Sequence, residues 1–230
     1  MIVFDIETTP DRELIKAIHN KTVDEYKLEC KEKVGHDFLK IIYHKIISIG
    51  VTILNKQDYT IEHTRSTTVG VMKNNTHFKE EDLITRFDGL LGKTGHDTIV
   101  SYNGKAFDIP VIMRRSMKYK IPLIHLNYSP NQYKSYTHKF NDDMHLDLVY
   151  ITPERLSLQE SCMMCGFSAK KNGIDGSVVD SLSPEDVDKY VKIDCLSTTK
   201  LLYHYLLMRN IIDRFQFEQL IHQKALEEIL

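Results

Sequence analysis

The chain has 230 residues, 42% hydrophobic and 27% charged, and carries a net charge of −2 at pH 7. That suits one globular domain with a real core and excludes a chain too polar to fold. No apolar run approaches the ~20 residues of a membrane span. The acidic residue at position five argues against a signal peptide, and a net charge of −2 means that bulk electrostatics do not announce a nucleic-acid binder. A cytoplasmic protein is expected, or a nuclear one in a eukaryote, with its four cysteines as free thiols.

In chain order, "MIVFDIETTP" opens with a strand over Val3 to Ile6, stopped by Thr8-Thr9-Pro10. Alternation along a strand puts Asp5 and Glu7 on one side of it. Two like charges about 4 Å apart cost on the order of 4 kcal/mol at an effective dielectric near 20, so something must offset them. Asp11 to Leu39 is polar with sparse apolar positions and reads as a helix-capable surface excursion, in part mobile. "HKIISIGVTIL" is a β-branched strand, and "DYTIEHTRS" its hairpin partner across Asn55–Gln57.

"FKEEDLITRFDGLLGKTG" carries apolar residues at helical spacing and a glycine stop, so a helix is expected there. "DTIVSYNG" is a short buried strand ending in a turn, and "FDIPVIMRRSMKYK" starts a helix that tolerates Pro110 in its first turn. The segment from Tyr128 to Phe140 is loop-like. It holds Tyr128, Tyr133, Tyr136, Phe140, Lys134 and Lys139, a composition shared by single-strand binding and by ordinary packing. "MHLDLVY" reads as a strand.

"RLSLQESCMMCGF" reads as an amphipathic helix ending at Gly166. No second pair with zinc spacing accompanies Cys162 and Cys165, so core packing is the expectation for them. A long helix from Ser183 to Met208 follows, with Ser183 as N-cap and Pro184 next. "NIIDRFQFEQLIHQKALEEIL" reads as one further helix. Strands separated by helices indicate an α/β fold.

Three stretches stand out chemically: "FDIETTP", "SYNGKAFDIPVI" and "DKYVKIDCLSTTKLL". In the last, Tyr190 and Asp194 lie one helical turn apart on one face. Asp-x-Glu on an opening strand, Asn…Phe-Asp after a later strand and Tyr-x-x-x-Asp in a C-terminal helix resemble the DEDDy branch of the DnaQ-like 3′–5′ exonucleases. "HKIISIGV", "HLDL" and "KKNGIDGSVV" narrow the resemblance to the stand-alone exonucleases related to the proofreading domain of family-B DNA polymerases. It spans roughly residues 2 to 208, in order.

The resemblance implies an RNase H-like α/β fold, a mixed central sheet flanked by helices. One exonuclease domain would fill residues 1–230, with a catalytic core of about 2–208 and a C-terminal helix over 209–230. It implies that Asp5, Glu7, Asp108 and Asp194 hold two divalent cations, Mg²⁺ or Mn²⁺, which all-oxygen ligands suit. Such cations would answer the repulsion between Asp5 and Glu7. Tyr190 would act on the attacking water. A phenol pKa of about 10 makes a poor base at neutral pH, so that role is orientation.

Thr8, Asn103 and Phe107 are implied as substrate contacts, with Glu7 also placed to reach the terminal 3′-OH. Asn103-Gly104 reads equally as a turn, Phe107 as core, and Asp147 as a structural hydrogen-bond acceptor. Lys170, Lys171 and the turn from Asp175 to Ser177 are either phosphate contacts or a solvated loop. The expected activity is hydrolysis at the 3′ end of single-stranded DNA, in proofreading, repair or end trimming. A 3′–5′ exoribonuclease and a non-catalytic nucleic-acid-binding scaffold of the same fold remain the alternatives.

Overall fold

The structure, a computed structural model, describes residues 1–73, 76–131, 134–138, 142–169 and 176–227. Its central sheet has five strands in the order β3-β2-β1-β6-β7: β1 (Ile2–Pro10), β2 (His44–Leu54), β3 (Ile61–Thr68), β6 (Ile99–Ser101) and β7 (His145–Asp147). β1, β2 and β3 form an antiparallel meander, whereas β6 and β7 run parallel to β1, so the sheet is mixed.

β1 is nearly continuous in apolar character because it is covered on both faces. Ile2, Phe4 and Ile6 point into a core with Leu83, Ile84, Phe87 and Leu91 of helix α3 (Glu80–Lys93) and with Ile109 and Ile112 of α4 (Asp108–Tyr119). Val3 points the other way, into a second core built with Leu196, Leu201 and Leu202 of the long helix α6 (Pro184–Met208). By the same alternation Asp5 and Glu7 continue the α6 face.

Several expectations are refined. β1 runs through Thr8 and Thr9 to Pro10, where a missing N–H is tolerated at the strand's end. A register shift between Glu7 and Thr8, whose partners are Ser48 and Ile46, marks a bulge on β2 at Ile47. The excursion after Asp11 forms two helices, α1 (Arg12–His19) and α2 (Val23–Val34). Asp11 and Thr22 cap them, and they close on a small core of Ile15, Val23, Tyr26, Leu39 and Tyr43. Ile18, Leu28, Val34 and Phe38 stay exposed beside that cluster.

A two-stranded ribbon, β4 (Met72–Lys73) with β5 (Thr76–His77), precedes α3. α5 (Leu158–Met164) ends two residues before Gly166, which takes a left-handed φ of 83° just past the Cys165 cap, and Cys162 is buried. The segment after Arg209, expected as one helix, is two: α7 (Arg214–Ile221), capped by Asp213, and α8 (Lys224–Glu227). Gln223 stands between them; its amide donates to the Leu220 carbonyl and to the Tyr203 hydroxyl, and its side-chain oxygen accepts from the Ile61 N–H. Those bonds tie the break to β3 and α6.

A buried ion network anchors the end of β1. The Arg115 guanidinium, 2% exposed, donates from Nε and Nη2 to the two Glu80 oxygens at 2.6 Å each and from Nη1 to Asp11 at 2.6 Å. Glu80 also accepts the Tyr119 hydroxyl at 2.6 Å and the backbone N–H of Ile46 at 2.7 Å. The network therefore joins α1, α3 and α4 at the strand residue that pairs with Thr8. Burial alone would raise the Asp11 pKa, but hydrogen bonds from Lys118 and Arg115 outweigh it and bring the carboxyl down to about 2.

Two outcomes are expected. Arg115→Ala leaves buried Glu80 without its cation and Asp11 with Lys118 alone, and should cost about 3–5 kcal/mol, read as a lower urea midpoint. Asp11, depressed from 3.8 to about 2, contributes stability that is full above its unfolded value and is lost as pH falls through the folded one. The stability gap between wild type and Asp11→Asn should then be constant above about pH 5 and shrink between about pH 4 and 2. A gap that widens on acidification would contradict this assignment.

Candidate metal centre and cleft

Asp5 and Glu7 on β1 and Asp194 on α6 converge: one carboxylate oxygen from each lies within 4.8 Å of the others. Among the described residues this is the one group of three or more His, Cys, Asp or Glu side chains so arranged. α6 reaches β1 because of Gly50, which pairs with Asp5 across the β1–β2 ladder. A Cβ there would sit 2.8 Å from Val191 Cγ2, 2.9 Å from Cys195 Sγ and 3.0 Å from the Val191 carbonyl oxygen. The helix lies directly on that bare backbone, and Asp194 is delivered beside the residue that precedes the contact in space.

A second device fixes α6 to β3. Buried Asp188 accepts the hydroxyls of Ser66 at 2.8 Å and Thr68 at 2.9 Å on one oxygen and the Lys192 ammonium at 2.7 Å on the other. Tyr190 lies on the same helix face as Asp194 and is buried with Ile47, Val179, Leu182 and Val187.

Asp108 stands beside the triad rather than within it. β6 pairs with β1 only at Ile2 and Val3, so further along β1 another group must meet the N–H of Ile6. Asp108, at the first turn of α4, accepts it at 3.1 Å. Its charge still reaches the site. Burial first, then the charges of Asp108, Glu7 and Asp194, raise the Asp5 pKa well above the ordinary carboxylate range. Burial raises Asp108 to about 7, with Asp147 adding to the rise and the Ile6 N–H opposing it. Such a cluster takes up either protons or cations.

The donor set fits hard divalent cations: carboxylate oxygens only, converging from a strand and a helix, with no thiol or imidazole among them. Asp5, Glu7 and Asp194 would hold such ions, with Asp108 alongside.

The remaining candidates are placed as follows. The Thr8 hydroxyl lies 2.9 Å from His44 Nδ1, and His44 Nε2 lies 3.2 Å from the Leu39 carbonyl. The carbonyl can only accept, so Nε2 carries the proton and Thr8 donates to Nδ1. Asn103 adopts a left-handed φ of 66°. Its N–H donates to Asp147 at 2.6 Å, and its carbonyl accepts from Ala106 and Phe107, so its backbone builds the β6–α4 turn. Asp147, the structural acceptor expected for "HLDL", also takes the Lys105 N–H at 2.8 Å.

Phe107 is half-buried, packing on the first core and standing edge-on to His44 with centroids 4.9 Å apart. A cleft of about 380 Å³ opens here, lined by Glu7, Thr8, Lys27, Phe38, His44 and Phe107 among others.

Of the aromatic loop, Tyr136 is fully buried, donating its hydroxyl to the Asp97 carbonyl, and Tyr128 stacks on His96. Tyr133, Lys139 and Phe140 lie outside the described residues, as do Lys170, Lys171 and Asp175. Sequence reasoning missed Gly50, Asp188, His44 and Phe38. Only "SIGV" offered a signal, a glycine inside an apolar strand, which marks a close backbone approach.

The model of one protein family matches residues 36–230 of this chain. The chain belongs to the predicted 3′–5′ exonucleases related to the exonuclease domain of PolB. The matched stretch contains Asn103, Phe107, Asp108, Tyr190 and Asp194. Asp5, Glu7 and Thr8 precede it and rest on the geometry above. Among solved structures, the family B DNA polymerase from the hyperthermophilic archaeon Pyrobaculum calidifontis superposes with a TM-score of 0.54 at 15% identity. The superposition covers 90% of this chain and 24% of that one, so this chain spans about a quarter of the polymerase. The likeness is one of fold, and with the mixed sheet it makes this domain RNase H-like. A comparison with curated proteins gave no match. No described helix is long and apolar enough to cross a membrane.

If the contact at Gly50 sets the site, Gly50→Ala should lift α6 off β1 and cost about 1–3 kcal/mol. The rise in melting temperature on adding millimolar Mn²⁺ should shrink with it. A variant that melts lower yet keeps the full Mn²⁺ shift would separate helix packing from the site and refute the link.

Proposed function

We propose that this exonuclease is a metal-dependent enzyme that removes nucleotides from the 3′ end of single-stranded DNA. The observation that carries the reading is the meeting of Asp5, Glu7 and Asp194 within 4.8 Å on the α6 face of the sheet. Two bound Mg²⁺ or Mn²⁺ ions would supply the charge that activates water and stabilises the attacking and leaving oxygens of an in-line displacement.

The chain's own residues do the rest. Asp5, Glu7 and Asp194 bind, with Asp108 held at their side by the Ile6 N–H. Tyr190 orients the attacking water through its hydroxyl. Glu7, at the head of the cleft, accepts the terminal 3′-OH. The Thr8 backbone N–H reaches the same 3′-OH, and Asn103 hydrogen-bonds the substrate. Phe107 packs against the terminal nucleoside. Proofreading by this chain would act in trans on ends made by another enzyme; repair or end trimming is the wider role. Family membership supports the reaction class, and the carboxylate donors support the metal.

The deciding experiment incubates matched 5′-labelled DNA and RNA oligomers with Mg²⁺, with Mn²⁺ and with EDTA. A shortening ladder on DNA that EDTA abolishes is expected. A ladder on RNA alone would make the chain an exoribonuclease, a single internal cut an endonuclease, and no cleavage a scaffold. Asp194→Ala should reduce cleavage by about 10²- to 10³-fold, since it removes a ligand of the charge that stabilises the transition state. Tyr190→Phe should slow cleavage while keeping the Mn²⁺-induced rise in melting temperature.

A further inference from the structure

The cleft beside the carboxylates has a wall contributed by the helical excursion, and nothing above assigns it a task. Phe38 follows α2, and 58% of it is open to solvent, although it is a large apolar ring. It is not loosely placed. Its ring centroid lies 5.3 Å from His44 and 5.7 Å from Phe107, at interplanar angles of 34° and 59°. His44 is itself fixed at both ring nitrogens, by Thr8 and by the Leu39 carbonyl. Leu39, the next residue, is buried in the core of the excursion and pins the chain there.

An exposed aromatic side chain held by two other rings, at the mouth of a cleft that contains Glu7, has unused stacking surface. Water gains nothing from it, whereas a nucleobase would. Lys27 lines the same cleft and supplies the cation that a backbone phosphate would meet.

We propose that Phe38 is a stacking platform for the 3′-terminal nucleobase, so that the excursion forms one wall of the substrate cleft. The inference rests on the exonuclease reading and adds a selection rule to it. Every base has a π-face, so the platform is indifferent to sequence. An unpaired base can turn onto the ring without giving up pairing in a duplex, so the platform favours unpaired ends. Charge and metal geometry alone do not impose that preference.

The chain contains no tryptophan, which makes Phe38→Trp a unique fluorescent reporter at a surface position. Its emission would be followed in EDTA while an oligodeoxynucleotide is added, either intact or with its 3′-terminal base replaced by an abasic site. Saturable quenching by the intact strand, and little by the abasic one, is expected. Phe38→Ala should weaken binding of the intact strand by about 5- to 100-fold and of the abasic strand by less than about 2-fold.

The platform is overturned if Phe38→Trp cleaves DNA normally once Mg²⁺ is added yet its emission responds alike to both strands. It is equally overturned if Phe38→Ala weakens both strands alike while cleavage persists. If the wild-type protein neither binds nor cleaves either strand, the exonuclease reading itself falls, and the platform with it.

Discussion

The close approach of α6 to the bare backbone at Gly50 is the constraint on which the rest of the site depends. β1 can place Asp5 and Glu7 side by side by alternation alone, but a strand supplies no third ligand. A methyl group at Gly50 would stand within 3.0 Å of both side-chain and backbone atoms of α6, so the helix would have to move. Asp194 would then leave the two carboxylates it now meets. The packing of acidic groups together thus depends on a strand position that presents no side chain to Val191 and Cys195 of α6. Burial first, then the charges of Asp108, Glu7 and Asp194, raises Asp5 above the ordinary carboxylate range, so the group favours a bound proton or cation.

Around this contact the fold behaves as a clamp with two fixed ends. At one, Asp188 holds α6 to β3 through Ser66 and Thr68. At the other, Arg115 gathers Glu80 and Asp11, and Glu80 takes the N–H of Ile46 just where the β1–β2 register shifts. A buried ion network is a poor source of net stability, but it tolerates few alternative arrangements. Its position fixes the stretch of strand that carries Glu7 and Thr8 into the cleft. The Asp5 and Glu7 carboxylates, the bulge and the cleft are therefore set by neighbouring segments of two strands.

Much of this was legible in the sequence, and the reasons are physical. Alternation in "FDIET" puts both acids on one face, and the spacing of Tyr190 and Asp194 puts them on one side of a helix with an unmistakable Ser-Pro start. The long helices were readable because their apolar periodicity and caps are local. What escaped was non-local. Asp188 reads as one more charge in a helix until Ser66 and Thr68 are brought to it from 120 or more positions away. The network of Asp11, Glu80 and Arg115 joins three segments whose charges look solvated in sequence. The C-terminal segment looked like one helix because its apolar spacing survives the break, which Gln223 makes through bonds to Tyr203 and Ile61. The excursion after Asp11 looked poorly ordered because the few apolar residues that it buries serve a private core.

The central claim is that these acids exist to be shared by cations beside a 3′ end. Anomalous diffraction at the manganese edge, from crystals soaked in Mn²⁺, tests it most directly. The account requires anomalous peaks within about 2.0–2.6 Å of carboxylate oxygens of Asp5, Glu7 and Asp194. Ordered side chains at those three positions with no anomalous density between them, at a Mn²⁺ concentration that supports cleavage, would contradict it.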